Sequence, residues 1–242
     1  MNLWQKTHAY HRFWRYRRRT ERPEIAFIRS LDLAGGTLVD VGANRGAYTY
    51  WLHRCVKHDG QVIAFEPQPE LVEYLGALKK SFGLNRLTVV HSALSDSPGR
   101  LPLVRPRKHW GAASFHLEAN AADCDVIDVP VMTLDDYFEQ HELPPVRFIK
   151  CDVQDHEAFV FRGGRRVIER HRPTLLFEQT EECVRNGESA AVLQELGYHG
   201  FFFYKDELVS VEELPRLRSR IDAPFLNYVY RPDRGAARAS AA

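Results

Sequence analysis

A chain of 242 residues with 44% hydrophobic and 27% charged side chains has enough apolar material for one large core, which excludes a wholly disordered chain and a small disulfide-stapled scaffold. No stretch approaches the ~20 uninterrupted apolar residues of a membrane span, and the mean hydropathy of -0.39 agrees. The net charge of +1 is unevenly placed: residues 1–22 carry +6 and the remainder -5.

That basic segment has no apolar h-region and no small-residue cleavage site, so it does not read as a secretory signal. Helical spacing over Leu3 to Arg19 puts Leu3, Tyr10, Phe13 and Trp14 near one side. A second helix is expected from Pro23 to Leu33, with Pro and Glu in its first turn and Gly35-Gly36 at its stop. Short apolar runs then alternate with helical stretches: Thr37–Val41, a helix over Gly46 to Val56, Gln61–Phe65, a helix over Glu70 to Phe82, and Leu87–His91. This alternation predicts an α/β fold, with a mostly parallel central sheet and helices on both faces. The rhythm breaks from Ala93 to Pro130, where Ser95–Gly99 reads as a turn between strands and Arg105 to Asp125 as a long irregular excursion. It resumes with a helix over Leu134 to Gln140, strands at Val146–Lys150 and Thr174–Glu178, and helical stretches over 155–170 and 181–196, the first broken by Gly163-Gly164. Phe201–Tyr204 and Phe225–Tyr230 are expected to close the sheet as an antiparallel pair, and 233–242 to be disordered. Cys55, Cys124, Cys151 and Cys183 lie far apart with no metal-ligand spacing, as expected of buried thiols in a reducing compartment.

Asp40-Val-Gly42-Ala43-Asn44-Arg-Gly46 stands between a strand and a helix. A turn that tight needs residues tolerant of left-handed backbone angles, and glycine and asparagine supply them. The register is not that of the dinucleotide fingerprint, because Asn44 takes the second glycine's place. The second strand ends in Glu66, about 20 residues on, where nucleotide-binding α/β folds put the carboxylate that holds ribose hydroxyls. Taken alone, the loop is also compatible with an ordinary strand-to-helix turn, and Glu66 with a solvated acid.

Val39–Tyr48, Ala64–Pro67 and Ser92–Asp96, followed by Thr133–Asp136, Phe148–Val153 and Phe177-Glu178, resemble in order the signatures of the FkbM-type methyltransferases. The resemblance implies a Rossmann-like class I methyltransferase fold and S-adenosylmethionine as cofactor. It implies O-methylation of a hydroxyl on a sugar, glycolipid or polyketide-like small molecule. Asp40, Gly42, Ala43, Asn44, Gly46 and Glu66 would then bind cofactor, and Ser92, Ala93 and Leu94 would line the adenine pocket. Asp152 would stand beside the transferring methyl, although an Asp after a strand is as readily a helix N-cap. The family usually continues Lys-x-Asp-Val with Glu-Gly-x-Glu, whereas this chain has Gln154-Asp155-His156-Glu157. His156 and Glu178 are further candidates for the base. Lys150 is a candidate to orient substrate, and His109 and Trp110 to clamp it. No feature demands a metal.

The organisation expected is a basic, aromatic helical arm over 1–36, a methyltransferase domain over 37–232 and the tail. The expected location is cytoplasmic, with the arm in contact with the inner face of a membrane or the acceptor rather than contributing to the fold. The competing reading, preferred because an isolated aromatic stripe is usually core, packs Trp4, Tyr10 and Trp14 on the domain with the arginines in water. The arm is also compatible with a nucleic-acid methyltransferase, but no recognisable nucleic-acid module accompanies it. The Gln154-Asp155 departure keeps open a cofactor-binding protein without catalysis. Oligomeric state has no signature in the sequence.

Overall fold

The computed structural model describes residues 1–57, 59–117, 123–180, 187–223 and 225–233. The expected disorder after Asp233, the start of the 181–196 helix and Cys183 lie outside these residues. Of the other cysteines, Cys151 is buried, while Cys55 and Cys124 are only partly so, and all three are free thiols.

The first half builds as its apolar runs require. β1 (Thr37–Val41), β2 (Gln61–Glu66) and β3 (Leu87–His91) pair in parallel, step by step outward. β1 is buried along its whole length, because helices cover both faces. The crossovers carry α3 (Ala47–Cys55) and α4 (Pro69–Phe82). The chain then returns to the other side of β1, where β7 (Val146–Cys151) and β8 (Thr174–Thr180) continue the parallel sheet. The strand order therefore reverses between β1 and β7, and the crevice above their carboxyl ends is where such sheets place ligands.

The last strand, β11 (Phe225–Pro232), inserts antiparallel between β8 and β9 (Tyr198–Tyr204), and with β10 (Glu207–Ser210) at the edge the order is β10-β9-β11-β8-β7-β1-β2-β3. The expected closing pair is present, with one further edge strand, β10, paired to β9. The stretch expected to be irregular is shorter than predicted. β5 (Gly99–Pro106) and β6 (Cys124–Met132) form a long antiparallel hairpin, and β4 (Ala93–Leu94) joins it in a separate three-stranded sheet. Leu103, Val129 and Val131 give this sheet its own small core. α5 (Leu134–Glu139) precedes β7, and the helical stretch after β7 divides into α6 (Glu157–Gly163) and α7 (Arg165–His171). A Cβ on Gly163 would lie 1.9 Å from the Ser95 carbonyl oxygen, so only glycine lets α6 pass this close to the β4 turn.

The N-terminal arm does not stand apart from the fold. α1 (Leu3–Arg15) runs into a wider helical turn over Tyr16–Thr20 and then α2 (Arg22–Ser30). Ala9 and Phe13 are fully buried, and the Phe13 ring stacks on Tyr50 of α3 with centroids 4.1 Å apart. The Trp51 indole N–H donates to the Phe13 carbonyl at 3.0 Å. The buried stripe is thus Ala9 and Phe13, while Leu3 and Tyr10 face outward, because the rings of Tyr50, Trp51 and Phe82 receive only that side of the helix.

Candidate active site

Two clefts open at the carboxyl ends of β1, β2 and β7 and meet at Gly42, Asn44 and Asp152. The first holds about 590 Å³ including its open mouth. Gly42, Asn44, Glu66, Ser92, Ala93 and Leu94 all line it. Gly42, Asn44 and Gly46 have φ values of +75°, +49° and +71°, the left-handed turn expected of this loop. The buried Glu66 carboxylate ties the loop to the end of β2, accepting from the backbone N–H groups of Asn44 (2.7 Å) and Gln68 (3.0 Å). Burial pushes its carboxyl up to about 7 against those hydrogen bonds. Asp40 and Ala43 line the second cleft instead of this one, and the buried Asp40 accepts from the Thr49 hydroxyl and is pushed up to about 6 by burial.

The residues present fit a purine nucleoside carrying a hydroxylated sugar. The wall of Phe65, Ala93, Leu94 and Leu103 is apolar, and Glu66 is the carboxylate at its edge. The side-chain Oε1 of the buried Gln68 has no hydrogen-bond partner among the described residues, which leaves an acceptor for an exocyclic amine. Trp110, expected to clamp acceptor, lines this first cleft together with Gly111. The Trp110 carbonyl accepts from Gln68 Nε2 at 3.0 Å, and the Arg105 guanidinium lies 4.7 Å over the indole. His109 is exposed and lines neither cleft.

Asp152 joins the two clefts. Its backbone N–H donates to the Val41 carbonyl at 3.0 Å, and a Cβ on Gly42 would lie 2.0 Å from its carbonyl oxygen. Beyond it, the second cleft, about 420 Å³ with its mouth, is lined by Tyr16, Tyr48, Lys150 and Asp152. Lys150 is 1% exposed, with Nζ 3.7 Å from Asp152 Oδ2 and 4.9 Å over the Tyr48 ring. Burial works to lower its pKa, and the carboxylates of Asp152, Glu178 and Glu21 outweigh that and hold it up. Glu178 is raised by burial and then by Asp152.

Sequence reasoning missed the residues that surround this lysine. The Tyr48 hydroxyl donates to Glu21 at 2.8 Å, and Asn227 Nδ2 donates to both Glu21 (3.1 Å) and Glu24 (3.0 Å). Burial, then the charge of Glu21, pushes the Glu24 carboxyl up to about 7. No local motif marks this group, which the arm, α3, β7, β8 and β11 assemble from both ends of the chain.

His156 is not at the clefts. It is buried, with Nε2 2.9 Å from the Ser95 hydroxyl, Nδ1 3.1 Å from His116 Nε2, and its ring stacked on Phe159 at 4.4 Å. Burial, then His116, pushes its pKa down to about 4. Both ring nitrogens are engaged, so the geometry gives it a scaffolding place. Gln154 and Asp155 have φ values of +54° and +71°, so Asp155 keeps a left-handed path at the position where the family pattern has glycine. Gln154 Nε2 donates to Asp152 Oδ1 at 3.1 Å, and Ser114 donates to the Gln154 carbonyl at 2.9 Å. Glu157, also missed as a site support, accepts from the Val153 N–H at 3.1 Å, and burial pushes it up to about 8.

Residues 40–203 match the Methyltransferase FkbM domain. The chain belongs to the FkbM methyltransferase family. The matched domain is a methyltransferase domain. Among solved structures, the FkbM methyltransferase of Methylobacillus flagellatus KT superposes with a TM-score of 0.52 at 16% identity, over 83% of this chain. This chain spans 45% of that protein's length. The cofactor-bound Rv0187 from MTB gives 0.52 at 10% identity over 95% of this chain and 90% of its own. SMU.1697c of Streptococcus mutans, in complex with SAH, gives 0.52 at 10% over 88% and 98%. These likenesses show the class I methyltransferase fold. No protein of curated function matches the sequence significantly.

Proposed function

We propose that this methyltransferase O-methylates a hydroxyl group of a sugar, glycolipid or polyketide-like small molecule. The observation that carries the reading is the second cleft, which meets the cofactor cleft at Gly42, Asn44 and Asp152 and is lined by phenol, ammonium and carboxylate groups suited to holding hydroxyls. When bound, S-adenosylmethionine supplies an electrophilic methyl group on a sulfonium. Gly42, Asn44, Glu66, Gln68 and Ser92–Leu94 would hold it in the first cleft.

The chain's own residues do the rest. Asp152, with its side chain 36% exposed, accepts the hydroxyl proton at a carboxylate oxygen. Gln154 and Lys150 fix the orientation of that carboxylate from two sides. Tyr16 and Tyr48 pack the acceptor and narrow the access of water, so alignment supplies much of the rate. Glu178 and Glu21 hold Lys150 in its ammonium form beneath the site.

The test is a screen of sugars, glycolipids and polyketide alcohols with methyl-labelled S-adenosylmethionine, followed by mapping of the labelled atom. The expected product is a methyl ether, formed far more slowly by Asp152→Asn with cofactor affinity retained. Label found only on nitrogen or on nucleic acid overturns the reading.

A further inference from the structure

The outward side of α1 carries an apolar and cationic surface that the fold does not use. Leu3 is 82% exposed, Trp4 73% and Tyr10 47%. Trp4, His8, His11 and Arg15 follow helical spacing along one exposed stripe, and Leu3, Thr7 and Tyr10 lie on the stripe beside it, leading toward Arg18. The Trp4 ring stacks on His8 at 5.5 Å, so its broad face is held outward rather than turned back into the core. Three large apolar side chains on a single short helix amount to an unburied patch, and such patches mark contact surfaces.

The charge around the patch is uncompensated. Among the described residues, none of Lys6, Arg12, Arg15, Arg17, Arg18 and Arg19 pairs with a carboxylate. The guanidiniums of Arg17 and Arg18 instead lie 4.9 and 4.7 Å over the Trp14 ring, which holds them at the surface without neutralising them. This cationic segment sits on a chain whose remaining residues sum to -5. Meanwhile Phe13 and Ala9 lock the other side of α1 onto α3, so the patch is displayed on a rigid helix.

We propose that the outward face of α1 is a docking surface for an anionic lipid bilayer, with Leu3, Trp4 and Tyr10 entering the headgroup layer and Arg15 and Arg18 meeting lipid phosphates. A helix lying in the interface needs apolar and aromatic groups on one side with basic groups flanking them, and α1 has both. The aliphatic Leu3 beside the indole suits acyl chains, whereas a nucleic-acid surface would call for stacking aromatics within a basic groove. Tyr16, the residue after α1, lines the cleft beside Lys150 and Asp152, so docking sets the methyl-transfer cleft next to the bilayer. The inference does not depend on the chemical class of the acceptor.

The test uses the full chain with vesicles of phosphatidylcholine alone and with about 30% phosphatidylglycerol, at about 0.1 M and 0.5 M salt. Binding is expected only to the anionic vesicles, with a blue shift of tryptophan emission, and at least tenfold weaker at high salt. The variant Leu3→Ser/Trp4→Ser/Tyr10→Ser and the variant Arg15→Glu/Arg18→Glu should each weaken binding at least tenfold. Their cofactor affinity should stay at the wild-type value and their thermal midpoints should fall by no more than about 2–4 °C, because only surface contacts such as Trp4–His8 and Arg18–Trp14 are lost. No binding of the wild-type chain to anionic vesicles overturns the proposal, whatever the variants do. So does vesicle binding indifferent to both variants, or salt-sensitive binding to single-stranded RNA with the vesicles left unbound.

Discussion

Gly42 is where the loop after β1 and the loop after β7 touch, so Gly42→Ala tests the architecture of the site most directly. The added methyl would lie 2.0 Å from the Asp152 carbonyl oxygen, which is backbone and cannot swing aside. An ordinary carbon–oxygen contact is about 3.3 Å, so the two loops must part by about 1 Å. The Asp152 N–H bond to Val41, 3.0 Å long, is stretched in the process. Independently of the contact, an alanine held at the +75° φ of this position costs about 1–2 kcal/mol. For a chain of this size each kcal/mol is about 2–4 °C, so the thermal midpoint should fall by about 5 °C from backbone strain alone. The parted loop should weaken binding of S-adenosylhomocysteine, measured by calorimetry, at least about tenfold, or ~1.4 kcal/mol. Gly76→Ala is the matched control, since a Cβ there meets nothing within 4 Å inside α4. It should stabilise by up to about 1 kcal/mol and leave affinity untouched. A Gly42→Ala protein that melts within about 1 °C of wild type and binds with equal affinity would refute the close approach as the organising feature of the site.

Glu66→Ala should weaken binding of the same ligand at least about tenfold in calorimetry, because both the ribose-side carboxylate and the clasp on Asn44 and Gln68 are lost; equal affinity would separate Glu66 from the cofactor. Glu157 has a folded pKa near 8, above its ordinary value of 4.5, so its contribution is complete below about pH 4.5 and is lost as pH rises through 8. Denaturant unfolding should therefore show the wild type losing about 2 kcal/mol more than Glu157→Gln between pH 6 and pH 8, and parallel pH profiles would contradict the burial argument. Phe13→Ala should cost about 3–5 kcal/mol, seen as a large drop in denaturation midpoint, because the ring is fully enclosed between α1 and α3; unchanged stability would make the arm an appendage after all.

The parallel half of the fold and the left-handed loop at the mouth of the first cleft were legible from residues near one another in the chain. Asp40 to Gly46 and Glu66 lie within one strand–helix–strand unit, where a tight turn demands left-handed residues and the second strand must end beside the first. Local chemistry and short-range geometry therefore state the answer together. The strands flanking the Ser95–Gly99 turn were legible too, but the partner of β5 was not, because β5 and β6 pair with each other across a long gap that local pattern does not bridge.

What only the tertiary structure decided is which distant groups meet and which faces are covered. Glu21 and Asn227 are 206 positions apart, and they meet because β11 inserts between β8 and β9 while the arm folds over the same sheet edge. Neither residue carries a signature, since a glutamate and an asparagine gain meaning only from burial beside Lys150 and Tyr48. His156 reads as a titratable candidate in sequence, yet the packing of Ser95, His116 and Phe159 around it engages both nitrogens and keeps it neutral. On α1 the sequence alone determined an amphipathic, strongly basic helix. The choice of Ala9 and Phe13 as its buried stripe, with Leu3, Trp4 and Tyr10 left facing outward, came from the aromatic surface of α3, because a helix has several apolar stripes and only its partner selects one.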